Sequence, residues 1–166
     1  PGEPAWSIDY AGQAYSGYWG LAACLKKAHE RGFPITDPSW LAGLSAPVLR
    51  DIFAGTGKIP LFEERLANLR ETGEVILSRW QGNIVHLIEE ANGFASTAVN
   101  LIVSSFPSFR DEALYQGKRV FFWKRAQLFV SDLNSAFSGK EWGRFVDMEV
   151  LTAFADYKLP QVLREL

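Results

Sequence analysis

Cysteine occurs once in 166 residues, so no internal disulfide can staple the fold. Cys24 lies in an apolar helical run and reads as a packed small residue, in keeping with a reducing, cytosolic compartment. No apolar run reaches the roughly 18 residues that a spanning helix needs, and no basic-then-apolar leader opens the chain. Neither a membrane span nor a signal peptide is expected. An excess of one charge is lacking too. With a net charge of −2 and a pI near 5.7, the chain has no global attraction to nucleic acid or to an anionic membrane, and any anion recognition must be local. Histidine is scarce: His86 stands at His-x-x-Glu spacing from Glu89, beside Glu90, without further ligands, and His29 is alone among lysines. No metal and no cofactor is expected. Gly55-Thr-Gly57-Lys58 lacks both the spacing and the preceding strand of a phosphate-binding loop.

What is present is a core-forming composition. The chain is 48% hydrophobic and 22% charged, with eight prolines and fourteen glycines, the profile of one compact domain spanning residues 1–166. It is rich in aromatics, with 6 Trp, 5 Tyr and 12 Phe, which serve as core filler or as stacking surfaces for planar ligands. The chain opens on Pro1 and stops at Leu166 inside a helical pattern, so it is expected to be a fragment of a longer protein.

Helical periodicity dominates. Tyr18 to His29 repeats Trp19, Ala22, Ala23, Leu25 and Ala28 at helical spacing before Gly32-Phe33-Pro34 stops it. Asp37-Pro38 opens a short helix with Asp as N-cap, and Ser45-Ala-Pro47 opens another over Val48 to Phe53. Leu61, Leu66 and Leu69 mark a fourth, which Gly73 closes as a C′ residue. A fifth runs from Asn83 to Ala91, and a sixth, Phe94 to Ser104, is apolar enough to be central. Only Trp6 to Tyr10 alternates, which leaves a short N-terminal strand or hairpin open. The class expected is all-α, or nearly so.

Two segments carry the chemistry. Read as one helix, residues 117–137 bury Phe122, Ala126, Phe129, Val130, Leu133 and Phe137 on one face. Lys124 then lies opposite, ringed by Val120, Phe121 and Leu128. Either its ammonium is partly enclosed, which favours a lowered pKa or an anionic partner, or it snorkels to water along its stem. Lys118, Arg119, Lys124 and Arg125 point in different directions and form no basic patch. In the second segment Asp147 caps a helix from Met148 to about Phe154. Leu159-Pro160 turns the chain, and Pro160 starts a helix from Gln161 onward. Asp156 sits in the corner between them, where an acid at a helix end opposes the macrodipole.

SGYWGLAACLKKA, PIT, FPSFRD at 106–111, GKRVFFWKRAQ and TAFADYKLPQVL together resemble the queuosine salvage protein family, in order along nearly the whole chain. Members of that family are longer at both ends. The resemblance implies a fold related to the helix-hairpin-helix DNA glycosylases and hydrolysis of queuosine 5′-monophosphate to queuine and ribose 5-phosphate, in a cytoplasmic setting. In that superfamily an acidic residue, often with a lysine from a neighbouring helix, works at the anomeric carbon, and the resemblance makes Asp156 of FADY and Lys124 of WKRAQ the counterparts. For a planar, cationic base, Tyr157, Phe109 and Tyr10 are stacking candidates. Asp111, Asp147 and Asp9 are candidates for charged and edge contacts. Each also has an ordinary explanation as core residue, cap or ion-pair partner.

Three classes of function remain: a hydrolase acting on the nucleotide, a module that binds queuine or its nucleotide without turnover, and a helix-hairpin-helix nucleic-acid binder or glycosylase. The acidic pI and Leu-Pro-Gln in place of hairpin glycines count against the third. The partners expected are therefore the nucleotide and queuine, with neither a membrane nor a direct nucleic-acid contact.

Overall fold

The structure, a computed structural model, describes residues 5–152 and 158–165. The chain divides into two compact units, Pro1–Gly82 and Asn83–Leu166.

The first unit begins with an antiparallel hairpin, β1 (Ser7–Tyr10) and β2 (Gln13–Ser16), paired in the register Ile8↔Tyr15. Ala11 and Gly12 between them both have positive φ, 51° and 79°, the turn whose twist matches that of the strands. Helices α1 (Gly17–Glu30), α2 (Pro38–Ala42), α3 (Ala46–Ile52) and α4 (Phe62–Trp80) follow. Asp37 caps α2 as expected, its Oδ1 accepting from the Ser39 amide at 2.8 Å. Trp6, Ile8, Cys24, Leu49, Ile52 and Phe53 share one core. Polar atoms inside that core find main-chain partners: the Trp6 indole donates to the Phe53 carbonyl at 3.0 Å and the Cys24 thiol to the Ile52 carbonyl at 3.2 Å. Burial pushes the Cys24 thiol up to about 11, with Lys27 pulling weakly the other way, which makes it the packed small residue the sequence suggested.

Gly73 does not end α4. The helix runs through it to Trp80, with Gly73 buried where α4 crosses α2. A Cβ there would overlap the Ala42 amide and the Pro38 carbonyl. The residue is glycine because two backbones meet at that point.

The second unit contains α5 (Val85–Glu90), α6 (Ala95–Ser105), a hairpin of β3 (Glu112–Tyr115) and β4 (Lys118–Phe121), α7 (Lys124–Ala136) and α8 (Lys158–Glu165). α6 is central in its unit, as its apolar composition indicated: Ala95, Ala98 and Ile102 are buried, and α6 packs against α7, where Ala126 and Val130 are fully enclosed. Single 3-10 turns cover Pro107–Phe109, Glu141–Gly143 and Met148–Val150.

The expectation of an all-α chain is corrected by the two antiparallel two-stranded sheets, and the kinship with helix-hairpin-helix DNA glycosylases is not shown and falls with it. The second hairpin lies where one long helix was expected over 117–137. Its strands pair Ala113↔Val120 and Leu114↔Arg119 through a Gln116-Gly117 turn with positive φ at both residues, 49° and 75°. Helical spacing misleads here because Val120, Phe121, Phe122 and Ala126 fall at intervals that either periodicity can accommodate. The helix expected from Met148 is, over its described part, only the 3-10 turn. α8 starts at Lys158, so Pro160 falls within its first turn, where a missing amide costs little.

Candidate functional site

The second unit holds a cleft of about 320 Å³ lined by Ser96, Val99, Asn100, Phe121, Phe122, Trp123, Gln127, Val150, Leu151 and Thr152. One wall is α6, a second is the joint between β4 and α7, and a third is the chain from Val150 to Thr152. Each wall is held by a side chain far away in sequence.

Asp147 holds the α6 wall. Its carboxylate accepts from the amides of Ala95 and Ser96, the latter at 3.2 Å, and from the Ser96 hydroxyl at 2.6 Å. It thus caps a helix that begins 52 residues earlier and makes no capping bond to the turn that follows it. Partial burial pushes this carboxyl up, but the bonds from Ser96 and Ala95 outweigh that and leave it below its ordinary range.

Asp111 holds the joint. Its Oδ2 accepts from the Lys124 amide at 2.9 Å and its main-chain carbonyl from the Phe122 amide at 3.0 Å, so it caps the positive end of α7. Its Oδ1 is enclosed and has no hydrogen-bond partner among the described residues. Between these anchors Trp123 adopts a left-handed conformation, φ 47° and ψ 34°. That conformation is costly for a bulky residue and turns the chain sharply from strand into helix. Lys124 is accordingly the first residue of α7 and half-buried. The apolar ring inferred around it from a helical projection does not exist in that form, since Val120 and Phe121 belong to a strand. Its position places a cation at the positive end of a helix, which disfavours it by about 0.3–1 kcal/mol unless an anion is near.

Gln127 holds the third wall. It is 7% exposed, and its Oε1 accepts from the Thr152 amide at 2.7 Å while its Nε2 donates to the Phe122 carbonyl at 2.8 Å.

The remaining candidates are spread more widely. Asp156 and Tyr157 lie outside the described residues. Phe109 packs on Phe106, with ring centroids 5.6 Å apart, and carries the Arg125 guanidinium over its face at 5.1 Å. Asp9 and Tyr10 belong to the first unit. Asp9 is exposed on β1. The Tyr10 hydroxyl donates to Glu30 Oε1 at 2.6 Å, and its ring lies 5.4 Å from the Lys26 ammonium. The cleft therefore brings together the surroundings of Lys124, Asp111 and Asp147. It adds aromatic side chains that sequence reasoning passed over, Phe121 at 52% exposure and Trp123, their ring centroids 5.1 Å apart. The signal that would have found them was available: Phe121-Phe122-Trp123 is an aromatic run abutting Lys124, too long for one buried face.

No group of three His, Cys, Asp or Glu among the described residues is arranged to hold a metal ion. No helix among them is long and apolar enough to cross a membrane.

Comparison with known proteins yields one consistent result. The profile of the family described as queuosine salvage protein matches residues 1–166. A protein of Sphaerobacter thermophilus described as queuosine 5′-phosphate N-glycosylase/hydrolase is 52% identical over 165 residues, covering 99% of this chain and 51% of its own length. Relatives with the same description from Mus musculus and Schizosaccharomyces pombe are 42% and 37% identical, covering 95% and 96% of this chain and 47% and 48% of their own lengths. The chain spans about half the length of the curated relatives it matches.

Proposed function

The chain belongs to the queuosine salvage protein family, and we propose that it carries the catalytic part of a queuosine 5′-phosphate N-glycosidase, with Asp156 and Lys124 as the reacting pair. The observation that supports this reading best is the aromatic cleft. It opens at Trp123, directly before Lys124, and at Thr152, four residues before Asp156 in sequence. About 320 Å³ lies at the lower end of ordinary small-molecule sites, which run from about 300 to 1,000 Å³. Exposed rings at such a mouth suit a planar base.

The chemistry asks for these residue types. Hydrolysis forms a bond from water oxygen to C1′ and breaks the bond from C1′ to the base nitrogen, whose electron pair leaves with the base. Positive charge develops at C1′, and a fixed carboxylate stabilises it and takes the proton from the attacking water. Asp156 fills that role. A 7-deazapurine lacks the N7 through which purines are protonated as they leave, so departure needs a donor or strong cation stabilisation. Lys124 supplies positive charge, either to the departing base or to the 5′-phosphate. The setting is cytoplasmic, in keeping with a single buried thiol.

The test is to incubate the intact protein with queuosine 5′-monophosphate and to follow queuine by mass spectrometry, beside Asp156→Asn and Lys124→Met. Release by the parent and none by Asp156→Asn is the expected result. A fall in kcat for Lys124→Met assigns the lysine to the leaving group, a rise in KM assigns it to the phosphate, and an unchanged rate removes it from the site. Binding without release would replace the hydrolase by a binding module.

A further inference from the structure

Gln127 is the one buried polar side chain among the described residues, and the hydrolytic chemistry above gives it no part beyond holding the third wall. Its amide is used at both ends. Nε2 donates to the Phe122 carbonyl at 2.8 Å and lies 3.1 Å from Thr152 Oγ1, while Oε1 accepts from the Thr152 amide at 2.7 Å and lies 3.2 Å from the same hydroxyl. Phe122 precedes Lys124 by two residues and Thr152 precedes Asp156 by four. One side chain therefore ties the joint that carries the lysine to the strand of chain that leads to the acid. The Gln127 end of the tie is buried while its partners are more open, so losing a partner strands an amide donor or acceptor on the enclosed side. A polar side chain is also an unusual choice for an enclosed position in this unit, where Ala126 beside it and Val130 one turn on are purely apolar. Filling space alone would be served better by Leu or Met.

We propose that Gln127 is a positioning residue for the hydrolytic site, clamping the Phe122 and Thr152 walls of the cleft together so that Lys124, two residues beyond Phe122, keeps a fixed place against the opposite wall. The proposal rests on the N-glycosidase reading, and it concerns geometry rather than contact with substrate. A displacement of about 1 Å in a reacting group can cost on the order of 100-fold in rate. A clamp failure therefore falls on kcat, while the aromatic surfaces that bind the base keep KM nearly unchanged.

The test uses the intact protein and three variants. Gln127→Met keeps the volume and removes every hydrogen bond. Gln127→Glu keeps acceptors for Thr152 but loses the donor to Phe122. Thr152→Val removes the hydroxyl yet leaves the Thr152 amide bonded to Oε1, and it decides the matter should Gln127→Met fail to fold. Expected are a fall in kcat of about 100-fold for Gln127→Met with KM within about threefold, smaller falls for the other two, and non-additive effects when Gln127→Met and Thr152→Val are combined. Hydrogen exchange at the Thr152 amide reads the clamp directly and should accelerate in Gln127→Met. Folded variants with parental kcat overturn the inference while leaving the hydrolase intact. A parent that releases no queuine overturns the hydrolase reading and this inference with it. Unchanged exchange at Thr152 in Gln127→Met overturns the clamp whatever the turnover.

Discussion

The two units of this chain use long-range hydrogen bonds in different ways. In the first, the Trp6 indole and the Cys24 thiol donate inward to the Phe53 and Ile52 carbonyls at the end of α3, and the surrounding side chains close over them. These bonds satisfy the core and lead nowhere. In the second, Asp111, Asp147 and Gln127 reach across 13, 52 and 25 residues to grip the ends of other segments, and the segments they grip are the walls of a cleft. The bonds in the first unit satisfy polar atoms inside its core; those in the second fix the edges of the cleft beside Lys124. Apolar packing is non-directional, whereas these hydrogen bonds fix which segments border the cleft.

Three measurements sharpen that contrast. The largest expected effect is in the first unit. Gly73→Ala should destabilise the protein by about 3 kcal/mol, because the new methyl meets backbone on α2 that cannot rotate away. In an exposed helix the same change would stabilise by up to about 1 kcal/mol, so urea denaturation showing a gain would disprove the close crossing of α2 and α4.

Next comes the cleft. Asp147→Ala should lose about 1–3 kcal/mol as two amides and a hydroxyl of α6 lose their acceptor. Since the folded-state carboxyl lies below its ordinary 3.8, the stability it contributes is complete above that value and is lost as pH falls through the folded one. Acid titration of stability should therefore be shallower in Asp147→Asn than in the parent, and equal slopes would show that the cap is not charged.

The smallest effect concerns Cys24. With its thiol near 11 and 1% exposed, it should resist alkylation at neutral pH until the protein unfolds. Rapid labelling of the native protein would show that the first unit is less closed than described.

Much of the helical framework was legible because it is local. Asp37-Pro38 announces α2 through a cap and a pre-set φ, and α1 and α6 show their faces through spacing. The failures share one cause. Gly73 looked like a stop because glycine relieves backbone strain at helix ends, but here it relieves crowding between two helices, which no window along the chain contains. Residues 112–121 fold as a hairpin, although Gln116-Gly117 was a readable turn signal, because the apolar residues beyond it also suit a helix. Asp147 was recognised as a cap by its chemistry and assigned to the wrong helix, since the amides it serves are 52 residues away.

Sequence alone thus determined the starts of α1, α2, α3 and α6 to within a residue or two, the packed thiol, the family, and Lys124 and Asp156 as the residues to examine first. The helix starts and the thiol follow from side-chain chemistry and short-range sterics, which act whatever the rest of the chain does; the family and the two residues follow from the resemblance of the motifs. Only the tertiary structure decided that Lys124 opens a helix, that Trp123 and Phe121 face a cleft, and that Asp111, Asp147 and Gln127 frame it. Those facts depend on which distant segments meet, and hydrogen bonds between such segments exist only once the core has folded and excluded the water that would otherwise satisfy each group on its own.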